Sequence, residues 1–310
     1  MKNKFQAGKI PIFDGGLKAN IMPNHELVVL RTARRYRIVL EGLFFITEPK
    51  IRWILVPLLL LHHTTMILGG ILLVVDATAT YSLLIPATLA QKQHCIVVPG
   101  CYMTLAVFWQ KSRLLIEVAK EVNEALLIDQ LPIANDLRAA VITDLENRHP
   151  LIVLYMTSIS QVLISFYVLS PVVKFLTSTS PLRQLELPLN MQDPLSLVGL
   201  TLTDVTRVTI YFLFSTCLMA TFFVIYLGKS LNLIILDSLK TAFSICGQSF
   251  ETLGRDGPSN MEQFQSAVKL HQRLFRITLK AKDAIESHMA ISTAWCVCYI
   301  SICASAIIQV

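Results

Sequence analysis

Residues 267–310 read AVKLHQRLFRITLKAKDAIESHMAISTAWCVCYISICASAIIQV. The first half of this stretch is a two-faced helix. Ala267, Leu270, Leu274, Ile277, Ala281 and Ile285 follow alternating three- and four-residue steps, which places them on one apolar stripe. Lys269, Arg273, Arg276 and Lys280 keep a similar step on a separate face and form a cytosolic-type basic helix. The second half, 289–310, has no charged residue and is long enough to cross a bilayer, which takes about 20 apolar residues. A basic, amphipathic helix therefore feeds directly into a membrane helix.

The rest of the chain agrees. Of 310 residues, 54% are hydrophobic and only 15% charged, where a soluble domain carries about a quarter. The apolar residues are blocked into long runs, which predicts an all-α, polytopic transmembrane helix bundle. The expected spans are about 53–75, 81–108, 151–173, 208–228 and 289–310, within one domain covering 1–310. Asn24 could cap a helix running to about Phe45, with Leu27, Leu30, Tyr36, Leu40 and Leu43 on its apolar side. That helix reads either as lying on the cytoplasmic membrane surface or as an ordinary basic flank. Leu115, Val118, Val122 and Leu126 carry the second span onward as a cytosolic helix, and Leu231, Ile235, Leu239 and Phe243 do the same after the fourth. Gly254 to Ser259 is the expected turn before the last helix.

Basic residues set the orientation. The first 51 residues hold nine, Lys2, Lys4, Lys9, Lys18, Arg31, Arg34, Arg35, Arg37 and Lys50, and the loop 229–288 holds eight. The proline-bearing loop 176–206 holds only Arg183. The positive-inside rule puts the N-terminus in the cytosol and 176–206 outside. Met1 to Gly16 lacks the apolar core of a signal peptide.

The chain lacks the patterns of an enzyme. It has no glycine-rich phosphate loop, no His-Glu-x-x-His and no Gly-x-Ser-x-Gly. His62 and His63 are adjacent, so their rings leave a helix in different directions and read as satisfied polar packing. Gln91-Lys92-Gln93-His94 interrupts the second span and reads as a polar cavity lining, with an ion site as the minor alternative. Asp136, Asp144 and Glu146 read as a solvated face. The seven cysteines show no disulfide framework or metal spacing, and most lie in apolar segments as small packers. No cofactor, metal or nucleic acid is expected.

The architecture resembles the insect odorant receptors. The resemblance rests on the cytosolic N-terminus, the long proline-bearing loop between spans three and four, and two stretches after span four. These are Leu231-Asn-Leu-Ile-Ile-Leu-Asp237-Ser-Leu-Lys-Thr-Ala-Phe243 and Leu270-His271-Gln-Arg-Leu-Phe-Arg276, the latter continuing through Ala284-Ile285-Glu286 into span five. Gustatory receptors share the superfamily and are the nearest alternative; an unrelated multispan transporter or scaffold is the alternative from another class. The resemblance implies a plasma-membrane, ligand-binding subunit of an odorant-gated cation channel, forming a hetero-tetramer with an odorant co-receptor. It also implies five spans present of an expected seven, a C-terminally incomplete receptor that by itself adds no odorant-tuned current. A small, volatile, apolar ligand calls for aromatic walls with a few polar groups. In the outer half of the bundle these are Gln91 and His94, Phe166, Tyr167 and Ser170, and Tyr211, Phe212 and Ser215.

Overall fold

The computed structural model describes residues 26–43, 57, 60–68, 71, 86–127, 135–179, 185–186, 203–253 and 261–308. Six helices follow in order: α1 (Val28–Leu43), α2 (60–68), α3 (Pro86–Leu126), α4 (Asn135–Thr177), α5 (Asp204–Leu253) and α6 (Met261–Ile308). The described residues contain no strand. Asn24, the turn at 254–259, the ends of the 53–75 run and most of 176–206 lie outside the described residues.

Length is the feature that shapes the molecule. α3, α4, α5 and α6 have 41, 43, 50 and 48 residues. At about 1.5 Å per residue these rods are roughly 60–75 Å long, about twice the hydrocarbon thickness of a bilayer. Any of them that crosses a membrane must also run on through water as a continuous helix. The apolar first half of α5 passes without a break into Leu231, Ile235 and Leu239, all buried, and half-buried Phe243. Among the described residues two helices, α4 over Arg138–Thr177 and α5, are long and apolar enough to cross a membrane, each holding an 18-residue stretch with mean hydropathy of 1.8 and 2.1 respectively.

Two clusters of side chains hold the rods together. The larger joins Leu115, Val118 and Val122 of α3 to Ile234, Leu239 and Ala242 of α5 and to Leu270, Leu274 and Ile277 of α6. Every residue of the 267–285 stripe is buried, and α3 against α6 is the most extensive seam. The smaller cluster lies toward the other end: Met66 of α2, Val98 of α3, Ile164 of α4, and Tyr211, Phe214 and Leu218 of α5. Outside it, α4 presents Leu154, Val162, Leu163, Phe166, Leu169 and Val173 outward, an apolar face far larger than a water-facing helix carries.

Two expectations need correction. The apolar side of α1 does not lie on a membrane surface. Leu27, Leu30, Tyr36 and Leu40 are buried in the large cluster, and α1 packs on α3 and α5. Periodicity shows that a face is covered but not what covers it. Glu146 is not simply solvated: its Oε1 accepts the Val28 N–H at 2.9 Å and lies 3.3 Å from Arg31 Nη2. Asn123 Oδ1 accepts the Leu27 N–H at 2.9 Å. The free N–H groups that begin α1 are thus capped by side chains about a hundred residues away. Asp144 pairs with Arg148 at 2.9 Å, as a surface residue would.

Candidate functional site

Where the five helices α1, α2, α3, α5 and α6 meet, polar and aromatic side chains replace aliphatic ones. His63 of α2 bridges two of them. Its Nε2 is 2.7 Å from the Leu43 carbonyl at the end of α1, and its Nδ1 is 3.1 Å from the Tyr102 hydroxyl of α3. A carbonyl only accepts, so in the neutral ring Nε2–H donates to Leu43 and Nδ1 accepts from Tyr102. His62, on the neighbouring face, lies 3.2 Å from Thr221 Oγ1 of α5. The adjacent histidine rings meet edge-to-face at 5.3 Å, yet their nitrogens bond different helices, His63 to α1 and α3 and His62 to α5.

One layer further on, Tyr36 of α1 meets Phe108 of α3 edge-to-face at 5.5 Å. Phe108 in turn lies against His288 of α6 at 3.9 Å. The His288 Nδ1 accepts from Asn232 Nδ2 of α5 at 3.1 Å, and its Nε2 is 3.3 Å from Ser292 Oγ. Gly228 makes the approach possible, because a Cβ there would meet the Tyr36 hydroxyl and sit 2.6 Å from Phe108. Sequence reading missed Tyr102, Thr221, Gly228, Asn232 and His288. The available signal was position: Gly228 closes the fourth apolar run, Asn232 is one turn beyond, and His288 directly precedes the fifth.

The basic face of α6 has a different fate from a free cationic patch. Lys280 Nζ reaches Glu117 at 2.6 Å and Glu121 at 2.5 Å, Arg273 reaches Glu124 at 2.5 Å, and Lys111 reaches Asp283 at 3.1 Å. Glu117, Glu121, Glu124, Arg273 and Lys280, with Lys120 and Arg276, line a cleft of about 500 Å³ between α3 and α6. Lys280's hydrogen bond, then its charge, holds the Glu117 carboxyl below the usual carboxylate range. Hydrogen bonds from Glu117 and Glu121 hold Lys280 above its ordinary value. Lys269 and Arg276 stay exposed.

The residues expected to line a ligand pocket do not converge as a set. Tyr211 and Ser215 are buried, and the Tyr211 hydroxyl donates to the Val168 carbonyl of α4. Phe166 and Phe212 are 70% and 63% exposed and face away from the bundle; Ser170 is exposed too. Gln91 and His94 lie on the first turns of α3 and Tyr167 on α4, with side chains outside the described residues. Cys101, Cys217 and Cys246 are buried free thiols. Among the described residues no group of His, Cys, Asp or Glu could hold a metal ion. No family model matches the chain, and no curated protein matches it.

Proposed function

We propose that this chain is a multi-pass plasma-membrane protein of the insect chemoreceptor type, the odorant-binding subunit of an odorant-gated cation channel working with an odorant co-receptor. The observation that carries the reading is the pair of joints where apolar helix runs unbroken into charged helix, in α5 and α6. α5 passes from a lipid-compatible half into the buried Leu231–Ala242 ridge, and α6 passes from its ion-paired stripe into the uncharged run from 289. A receptor needs such rods, because they can couple a membrane-embedded ligand site to a cytosolic assembly without a flexible link. Five crossings complete the reading: about 53–75, the first half of α3, the later part of α4, the first half of α5 and the end of α6. The polar joints support coupling between helices: His63 ties α1 to α3, His62 meets α5, and Asn232 of α5 meets His288 of α6.

The small cluster around Tyr211 and Ser215 is the best-supported ligand wall among the residues named above. It brings α2, α3, α4 and α5 together and holds aromatic and hydroxyl groups side by side. The test is odorant-evoked current in cells expressing the receptor with a co-receptor. Tyr211→Ala should reorder the ligand ranking while surface expression stays near that of the parent. Loss of surface protein with unchanged ranking would assign Tyr211 to packing alone.

A further inference from the structure

The outward face of α1 carries a graded pattern that the buried face does not explain. At 100° per residue, Arg31, Arg34, Arg35, Ile38 and Val39 share one side, opposite buried Val29, Ala33, Tyr36 and Leu40. All five outward residues are exposed. The cations occupy the N-terminal part of this face and the apolar pair the C-terminal part. Arg31 pairs with Glu146 and Arg34 with Glu26, but Arg35 has no ionic or hydrogen-bond partner among the described residues.

Two contacts fix the depth of α1, given the membrane crossing and orientation proposed above. Tyr36 packs on Phe108 and against Gly228, the last residues of the 81–108 and 208–228 runs. That places Tyr36 at the cytosolic edge of the hydrocarbon. Separately, the Leu43 carbonyl is bound by His63, ten residues into the 53–75 run, which keeps the end of α1 inside the proposed first crossing. Arg35 is eight residues before Leu43, about 12 Å back along the helix. Both contacts put Ile38 and Val39 on the acyl-chain side and Arg31 and Arg34 on the headgroup side, with Arg35 at the boundary, where its long side chain can reach toward the lipid phosphates.

We infer that this face is a binding site for anionic phospholipid of the inner leaflet, Ile38 and Val39 lying along the acyl chain and Arg34 and Arg35 binding the headgroup phosphate. Arginine suits the role because its planar fork donates two parallel hydrogen bonds to phosphate oxygens. The cations and apolar residues follow the order of headgroup and chain along the helix, which a purely soluble partner would not require.

The test uses the detergent-solubilised full chain titrated with dioctanoyl phosphatidylserine, dioctanoyl phosphatidylcholine or inorganic phosphate, with bound adducts counted by native mass spectrometry. Phosphatidylserine should bind more tightly than phosphatidylcholine, and phosphate alone should not compete. Arg34→Gln with Arg35→Gln should weaken phosphatidylserine by about tenfold or more, since each arginine near an anionic surface adds roughly a fivefold factor. Lys269→Gln with Arg276→Gln, exposed cations on α6, should leave binding unchanged. Equal binding of the two lipids, equal loss in both double variants, or competition by phosphate alone would overturn the site. Ile38→Asn separates the two halves of the site: it should weaken the lipid without affecting the parent fold, and unchanged binding would count against the acyl contact. An external location for the N-terminus, measured by tagging, would remove the membrane reading itself and is a separate result.

Discussion

Gly228 is the tightest point between α1, α3 and α5. Tyr36 and Phe108 are each 1% exposed and cannot swing aside from an added methyl group. Gly228→Ala should therefore cost about 1–3 kcal/mol through overpacking, seen as a lower melting temperature in detergent. Tyr36→Phe in the same chain should recover part of that loss, because it removes the clashing hydroxyl without leaving a cavity. The hydroxyl itself is buried without a hydrogen-bond partner. A buried unpaired donor costs rather than contributes free energy, so Tyr36→Phe should leave the melting temperature unchanged or raise it. A clear drop would mean that the hydroxyl is bonded after all. No feature of the sequence marks Tyr36 as different from Leu40, its neighbour on the same stripe. The period assigns both to a core, and only the approach of Gly228, 192 residues later, gives one of them a special role.

At the scale of elements, the α3–α6 seam combines an apolar interior with a charged edge. Leu274 and Ile277 are fully buried. Leu274→Ala should destabilise by about 2–5 kcal/mol, the range for a cavity left in a packed core. The edge is worth far less, because its pairs are partly exposed. Arg273→Glu should cost on the order of 0.5–1 kcal/mol, and Glu124→Arg in the same chain should restore most of it. The pH window follows from the shifts. Glu117 is held below its ordinary value, so its contribution is present above the usual carboxylate range and is lost as pH falls through the lowered value. Lys280 is held above its ordinary value, so its contribution persists below that ordinary value and is lost only as pH rises through the raised one. The seam should keep a constant strength from mildly acidic to mildly alkaline pH and loosen at both extremes, measurable as hydrogen exchange along 261–285. The apolar stripe of this seam was legible because a helix with one covered face repeats every 3.6 residues. Its acidic partner was not, because Glu117, Glu121 and Glu124 lie about 150 residues from the cations they meet. Phe166 and Phe212 show the converse limit. In a run that is apolar on every side, periodicity cannot separate an inward ring from an outward one.

At the scale of the molecule, an all-helical bundle was legible from composition and run length alone, and the described residues are built of long helices accordingly. α4 and α5 have the length and apolarity to cross a membrane, and their exposed faces suit lipid. On the proposed reading the ion-paired ends of α3 and α6 face water and the apolar halves of the rods face lipid. Everything proposed about ligand, co-receptor and lipid depends on that separation and on its direction. The most direct measurement is therefore accessibility of small epitope tags at Lys2 and near Gln192 in cells, before and after permeabilisation. The account expects the Lys2 tag to stain only after permeabilisation and the Gln192 tag to stain on intact cells. The reverse pattern, or staining of both tags on the same side, would contradict it.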